Sequence, residues 1–200
     1  MRRPRERFHL EHLLQVNQFG IALETAAAGT PLRVCFINEH TPILNNQVKI
    51  QKPLQMKVVI STKGKTTLIP DAVCTISDGI KEVLFFLELD RGTEILKSTN
   101  GHPDFLKKIK AYLGLFDSKE YKNISECPGN DHNGFRVLVT APDDARLNNL
   151  FNLSRDDPED THFFWFTCME NIRPDAILGN IWQSTSAPGH LSSIVPGYSP

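Results

Sequence analysis

The chain has 200 residues, which is enough for one medium-sized domain with a hydrophobic core of its own. Hydrophobic residues make up 40% and charged residues 22%, a composition that excludes wholesale disorder. The net charge of −1 excludes a strongly basic nucleic-acid coat protein, but the charge is unevenly distributed: residues 1–67 hold 10 basic and 4 acidic side chains, a balance of +6, and residues 68–200 hold 12 and 19, a balance of −7.

The N-terminal third predicts one long helix followed by short strands. Apolar residues at near-helical spacing predict a helix over residues 8–28 that ends at Gly29, and its apolar face consists of Leu10, Leu13, Leu14, Val16 or Asn17, Ile21 and Ala28. β-branched and aromatic residues predict strands after it, and prolines and asparagines predict the irregular segment between them. These later segments are a strand at 32–38, a loop or irregular arm at 39–53, a strand at 56–61 and a turn at 62–65.

The rest of the sequence predicts a mixed sheet with helices on its faces. Residues 67–76 and 81–89 are typical of two hairpin strands joined by the turn Ser77-Asp78-Gly79. The elements after it are a helix at 104–116, a strand at 135–140, a helix from Asp143 or Asp144 to 153, and a strand at 161–168. This order predicts a single α/β domain over residues 1–183, with a mixed central sheet flanked by helices. Residues 184–200, rich in Ser, Pro and Gly, predict a poorly ordered tail.

Targeting signals and metal-binding cysteine pairs are missing from the sequence. No run approaches the roughly 18 apolar residues that cross a bilayer, and the basic N-terminus lacks the apolar stretch of a signal peptide. The four cysteines are widely spaced without a CxxC pair. We therefore predict a cytoplasmic protein with reduced thiols and no membrane partner. His9 and His12 lie three residues apart, but the sequence offers no third ligand near them, so no zinc site is predicted there.

Carboxylates gather at the end of the predicted hairpin. Asp71 follows Pro70 in the first strand, and Glu88 ends the second. Antiparallel pairing places both side chains at one end of the sheet, and Asp90 shares the face of Glu88 through the period-two alternation of a strand. Oxygen ligands in such a group suit Mg²⁺, so we predict a magnesium site formed by these three carboxylates. The structural alternative is an ion pair with a nearby base. The candidate bases are Arg91, Lys107, Lys108 and Lys110.

These residues resemble the motif of the PD-(D/E)xK nucleases. Pro70-Asp71 matches the PD, and Glu88-Leu89-Asp90 occupies the position of the ExK, with Asp90 where the motif has its lysine. The resemblance implies a restriction-endonuclease-like fold in which Asp71 and Glu88 bind Mg²⁺ and take part in cleavage of a phosphodiester. The departure at Asp90 favours a catalytically inactive relative of these enzymes.

The next predicted helix supplies a substitute for the missing lysine. Lys108 and Tyr112 are four residues apart and therefore lie on one helix face. They resemble the QxxxY of some branches of the nuclease fold. The resemblance implies that Lys108 projects toward Asp71 and Glu88 and offsets developing negative charge, with Tyr112 beside it in the catalytic group. It also implies that Glu24 is the optional carboxylate of the first helix.

A closer resemblance covers most of the chain. The segments HLLQVNQFGIALETAA, IPDAVCTI, FFLELDRGTE, KIKAYL and FRVLVTAPDDARLNNL are similar to the replication-relaxation family of plasmids and other mobile elements. This resemblance implies a role in plasmid replication, DNA relaxation or mobilisation. It implies DNA as a partner, together with a relaxase or replication proteins.

Two basic clusters are predicted to contact phosphates, one at the N-terminus and one at a hairpin tip around Gly64. The structural alternative for both is a solvated surface. The predicted DNA-binding residues are Arg2, Arg3, Arg5, Arg7, Lys63 and Lys65.

Three classes of function follow from these observations. The leading hypothesis is a DNA-binding, nuclease-like protein of plasmid or mobile-element replication or relaxation that cleaves phosphodiesters with Mg²⁺. The second is a catalytically inactive DNA-binding or scaffold protein of the same fold. The third is a protein-interaction module that assembles with a relaxase or with itself through its acidic C-terminal part.

Overall fold

The computed structural model describes residues 4–41, 44–45, 48–49, 54–59, 64–92, 96, 105–123 and 132–195. Its elements are, in chain order, α1 (Pro4–Ala27), β1 (Arg33–Asn38), β2 (Leu44–Asn45), β3 (Val48–Lys49), β4 (Met56–Val59), β5 (Lys65–Leu68), β6 (Ala72–Ser77), β7 (Glu82–Leu89), α2 (Phe105–Ser118), β8 (Phe135–Ala141), α3 (Asp144–Arg155), β9 (Phe164–Cys168), β10 (Trp182–Ser184) and β11 (Leu191–Ser192). Short 3-10 helices cover Glu120–Asn123 and Met169–Asn171.

A seven-stranded mixed sheet forms the centre of the fold, in the order β1-β6-β7-β8-β9-β10-β11. Its first three strands are antiparallel, β7, β8 and β9 are parallel, and β9, β10 and β11 are antiparallel. The two parallel connections run through α2 and α3, as parallel strands require a crossover segment. The predicted α/β domain with a mixed central sheet and flanking helices is therefore confirmed.

Each face of this sheet carries its own hydrophobic core. Because side chains alternate along a strand, Leu84 and Phe86 of β7 join the core under α2 and α3, whereas Phe85 and Leu87 join the core under α1. The small hairpin of β4 and β5 packs on the α2 side. Residue 88 continues the even-numbered series, so the fold directs its side chain toward α2.

The first helix buries only part of the predicted apolar face, including Val16. Leu10, Leu14 and Ile21 are exposed, and the buried stripe runs through Val16, Phe19 and Leu23 at spacings of three and four. The aromatic ring of Phe19 packs in the core between α1 and the sheet, so tertiary packing determines which face of the helix is buried. The helix also begins earlier than predicted, at Pro4, a residue that suits the first turn because its missing N–H has no partner there anyway.

The predicted strand at 67–76 is in fact two strands in two different sheets. β5 pairs with β4, whereas β6 pairs with β1 and β7. The break falls at Pro70, which has no N–H to donate to a ladder. Asp71 resumes the ladder by donating its N–H to the carbonyl of Leu87 at 3.0 Å. The split places Asp71 at the very start of a central strand.

The segment after residue 183 continues the sheet as far as residue 195. β10 pairs with β9, and β11 pairs with β10, which adds two strands that the sequence analysis missed. Ile194 is fully buried in the core on the α1 side. The boundary predicted at residue 183 is therefore wrong for residues 184–195, because pairing and burial hold them in the domain; residues 196–200 of the predicted tail lie outside the described part. Within the described ranges, no helix is both long and apolar enough to cross a membrane.

Candidate functional site

Asp71 and Glu88 meet at the end of the β6–β7 hairpin. The pairing of Ala72 with Leu87, continued by one residue, sets Asp71 opposite Glu88. The carboxylate of Asp71 extends the ladder as well, because its Oδ2 accepts the N–H of Leu89 at 2.7 Å. The hairpin turn Ser77-Asp78-Gly79 fixes this register, since the N–H of Asp78 donates to Lys81 across it.

The helix α1 supplies a partner for Asp71. His12 Nε2 donates to Asp71 Oδ1 at 2.9 Å, and both side chains are mostly buried. The hydrogen bond to Asp71 raises the pKa of His12 above its ordinary value, against burial and the positive charges of Arg91 and Lys108, which lower it. His12 was missed in the sequence analysis, where it was considered only as a metal ligand. Its position one turn before the buried Val16 is the signal that places it on the inner side of the helix.

The helix α2 supplies two partners for Glu88, whose side chain is only 2% exposed. Lys108 Nζ donates to Glu88 Oε2 at 2.8 Å, and the hydroxyl of Tyr112 donates to Glu88 Oε1 at 2.6 Å. One helical turn separates the two donors, and the buried residues Phe105 and Ile109 hold the same face of α2 against the sheet. The predicted projection of Lys108 toward Glu88 is thus present in the geometry, and Tyr112 reaches the same carboxylate.

Burial raises the pKa values of both Glu88 and Tyr112. Burial, reinforced by the negative charge of Asp71, raises the pKa of Glu88 to about 7 even though Lys108 lowers it. Burial and the charge of Glu88 together raise the pKa of Tyr112 well above its ordinary value. Near neutral pH, Glu88 is therefore present in both its protonated and its ionised form, while Tyr112 remains a hydrogen-bond donor. A carboxyl group that titrates close to pH 7 is well matched to general acid–base chemistry.

Asp90 belongs to a separate ion pair with α3. Arg146 holds it with two parallel hydrogen bonds, from Nε to Oδ1 at 2.9 Å and from Nη2 to Oδ2 at 2.7 Å. The N–H of Gly92 adds a third at 2.6 Å. Asp143 caps α3 and accepts the N–H of Arg146, which sets the start of that helix. Of the three predicted magnesium ligands, the structure thus brings Asp71 and Glu88 together, whereas Asp90 is paired with Arg146 of α3.

The remaining predicted site residues lie apart from this centre or outside the described part. Glu24 is exposed on α1, twelve residues beyond His12, a separation of about 18 Å along a helix. Lys65 is exposed on β5, and Arg91 is half-buried directly after β7. Arg5 and Arg7 lie on α1, but their side chains are outside the described residues, as are Arg2, Arg3 and Lys63 altogether.

A cavity of about 250 Å³ opens between α1 and the end of β1, and Asp71 and His12 form part of its wall. His9, Asn38 and Glu39 line it as well. Asp71 therefore connects the buried carboxylate pair to a space that a small ligand or an ion can enter.

The sequence model of the replication-relaxation family matches residues 1–126, which is more than half of the chain. The chain belongs to this family. The resemblance found in the sequence is therefore confirmed, and membership indicates a role in plasmid or mobile-element replication or relaxation, with DNA or replication-related partners in general. The match includes all four residues of the centre described above: Asp71, Glu88, Lys108 and Tyr112. No curated protein and no solved structure gives a significant match to this member of the family.

Proposed function

We propose that this replication-relaxation protein is a nuclease-like protein that binds DNA and cleaves phosphodiesters at the Asp71–Glu88 pair. The observation that carries the proposal is the buried Glu88, held by Lys108 and Tyr112 opposite Asp71. A buried ion pair of this kind adds little stability compared with well-packed apolar residues. A strongly perturbed carboxyl group whose neighbour, Asp71, lines a cavity is therefore better explained by chemistry than by folding.

The same pair fits a divalent cation. Two carboxylates face each other at the strand ends, and the charge of Asp71 contributes to the raised pKa of Glu88. The charge of one acid thus disfavours ionisation of the other, a conflict that a cation between them relieves. In this proposal Asp71 and Glu88 hold Mg²⁺, which when bound supplies an activated water and charge stabilisation for phosphodiester cleavage.

Lys108 and Tyr112 have different tasks in this proposal. The ammonium group of Lys108 provides the positive charge that the motif lysine would provide in the nuclease fold, because Asp90 at that position is paired with Arg146. Tyr112 is a positioning residue, since its buried hydroxyl donates to Glu88 and restrains that carboxylate. The exposed Lys65 and the N-terminal arginines form the proposed contact with the DNA backbone.

One observation favours a second candidate, a catalytically inactive DNA-binding or scaffold protein. All four carboxylate oxygens of Asp71 and Glu88 already accept a hydrogen bond from within the protein. A cation at this position would have to share or displace these donors. In the second candidate, Asp71 and Glu88 serve only to make these four hydrogen bonds, and the fold serves only to bind DNA.

Nicking of supercoiled plasmid in the presence of Mg²⁺ separates the two candidates. The nuclease proposal expects nicking by the unmodified chain, loss of nicking in Asp71→Asn and Glu88→Gln, and no change in the control Glu24→Gln, which removes an exposed carboxylate far from the site. Nicking that persists in the double variant Asp71→Asn/Glu88→Gln refutes the assignment. Salt-sensitive DNA binding without cleavage under any divalent metal establishes the second candidate instead.

A further inference from the structure

A second group of potential metal ligands lies at the mouth of the same cavity. His9 of α1 meets Glu39 and His40 from the turn after β1, and one donor atom from each of the three lies within 4.8 Å of the others. The imidazole of His40 is 3.1 Å from Glu39 Oε1. The rings of His9 and His40 are 6.3 Å apart in an edge-to-face arrangement. The sequence pattern does not reveal this group, because His9 is thirty residues away from Glu39 in the chain.

We propose that His9, Glu39 and His40 form a binding site for a first-row transition metal ion, with Zn²⁺ as the ion best matched to the ligands. Two imidazoles and one carboxylate are the donor types of zinc sites. Neighbouring ligands of a tetrahedral zinc ion are about 3.4 Å apart. The separation of Glu39 and His40 is already near this value, and the exposed side chains can close the remaining gap by small rotations.

Asn38 holds the turn in the position that this site requires. Its Oδ1 accepts the N–H of His40 at 2.9 Å, and its own N–H donates to Thr41 Oγ1 at 3.0 Å, which closes the turn. Its Nδ2 donates to Asn17 Oδ1 of α1 at 3.0 Å. This buried asparagine therefore ties the turn that carries Glu39 and His40 to the helix that carries His9. Such support by neighbouring hydrogen bonds is what keeps metal ligands in place.

Three protein ligands leave a fourth position open, as in zinc sites that carry out chemistry rather than hold a fold together. His9 and Glu39 line the cavity that Asp71 and His12 also line, so an external ligand can reach the ion from that space. A water molecule or an anionic oxygen is the ligand class that Zn²⁺ takes there. This site is distinct from the Mg²⁺ site proposed at Asp71 and Glu88, because its imidazole ligands select a softer ion.

Isothermal titration calorimetry with Zn²⁺ tests the proposal on the full chain. The unmodified protein is expected to bind one Zn²⁺ ion, and His9→Ala and His40→Ala are each expected to weaken binding at least 100-fold, because loss even of a supporting residue costs 10- to 100-fold. The matched control is His162→Ala, which removes an exposed histidine that pairs with Asp160 at 2.9 Å and does not belong to the His9–Glu39–His40 group. Unchanged affinity in both His9→Ala and His40→Ala overturns the proposal.

Two further measurements keep this test independent of folding and of the proposed nuclease function. Circular dichroism checks that the variants remain folded, as expected for exposed side chains. Binding of Co²⁺ is expected to give the visible absorption of a four-coordinate ion in the unmodified chain and in Asp71→Asn/Glu88→Gln, but not in His9→Ala/His40→Ala. The opposite pattern, with absorption lost only in Asp71→Asn/Glu88→Gln, refutes the histidine site and leaves the carboxylate site standing.

Discussion

The buried Glu88 makes a quantitative prediction about stability and pH. Its pKa is raised to about 7 in the folded chain from an ordinary value of 4.5. The folded state thus binds the proton more tightly than the unfolded state, so this group stabilises the fold fully below pH 4.5, and that stabilisation is lost as the pH rises through 7. At about 1.4 kcal/mol for each pKa unit, the whole loss is about 3 kcal/mol.

The substitution Glu88→Gln isolates this effect. An amide keeps the shape of the protonated acid, and it still offers an oxygen to Lys108 and an NH₂ group to the Tyr112 hydroxyl. Relative to the unmodified chain, the variant is expected to gain about 2 to 3 kcal/mol in free energy of unfolding between pH 5 and pH 8. The measurement is urea unfolding at both pH values in the presence of EDTA, with each free energy extrapolated to zero denaturant.

The control for this measurement is Glu24→Gln, an exposed carboxylate on α1, whose effect is expected to stay within about 0.5 kcal/mol at both pH values. A second variant, Lys108→Met, removes the charge that lowers the pKa of Glu88 and should move the pH dependence to higher pH. An equal change in the free energy of unfolding at pH 5 and pH 8 in Glu88→Gln would contradict the raised pKa of Glu88, because the carboxyl group would then titrate alike in the folded and unfolded states.

Two more predictions concern the other ion pairs. Because the hydrogen bond to Asp71 is the main cause of the raised pKa of His12, Asp71→Asn should lower that pKa, and an NMR titration of the imidazole protons that shows no change contradicts the pairing. The stability that His12 contributes is present below pH 6.5 and is lost as the pH rises through its raised pKa. Arg146→Met leaves Asp90 buried without its bidentate partner, so it should cost about 3–5 kcal/mol in urea unfolding, whereas Arg146→Met/Asp90→Leu should recover much of that loss. A single-variant cost below about 1 kcal/mol would show that the pair is not effectively buried.

The parts of the site that were predictable from the sequence are those governed by local rules. The β6–β7 hairpin follows from two β-rich runs around a turn with glycine at a positive φ of 88°, at Gly79. The meeting of Asp71 with Glu88 follows from that hairpin, and the alignment of Lys108 with Tyr112 follows from helical spacing. Each of these inferences needs only neighbours in the chain.

The parts that could not be predicted depend on how distant elements dock. Asp90 lies on the same face as Glu88, as expected from the alternation along a strand. The arginine that pairs with it, however, is 56 residues away on α3. His12 is 59 residues from Asp71, and the apolar stripe of α1 offered two faces between which only packing against the sheet could choose. The group of His9, Glu39 and His40 could not be predicted either, because the turn after β1 brings Glu39 and His40 to α1 only in the folded chain.

The three acids of the predicted magnesium site are each matched by a base in the folded chain: Asp71 by His12, Glu88 by Lys108, and Asp90 by Arg146. These bases come from α1, α2 and α3, so the pairs also join each of the three α-helices of the described part to the strand ends. The bases differ in how easily they can separate from the acids with which they pair. Arg146 is 14% exposed and bidentate, whereas Lys108 is 31% exposed and makes one hydrogen bond to its acid.

Lys108 is therefore the partner that can move when a cation approaches Glu88. Its long side chain can swing toward solvent while Tyr112, fully buried, keeps hold of the other oxygen of the carboxylate. Once Lys108 has separated from Glu88, its ammonium group can contact a phosphate rather than an acid. The ion pair between Lys108 and Glu88 thus also keeps at this centre the positive charge that phosphodiester cleavage would need.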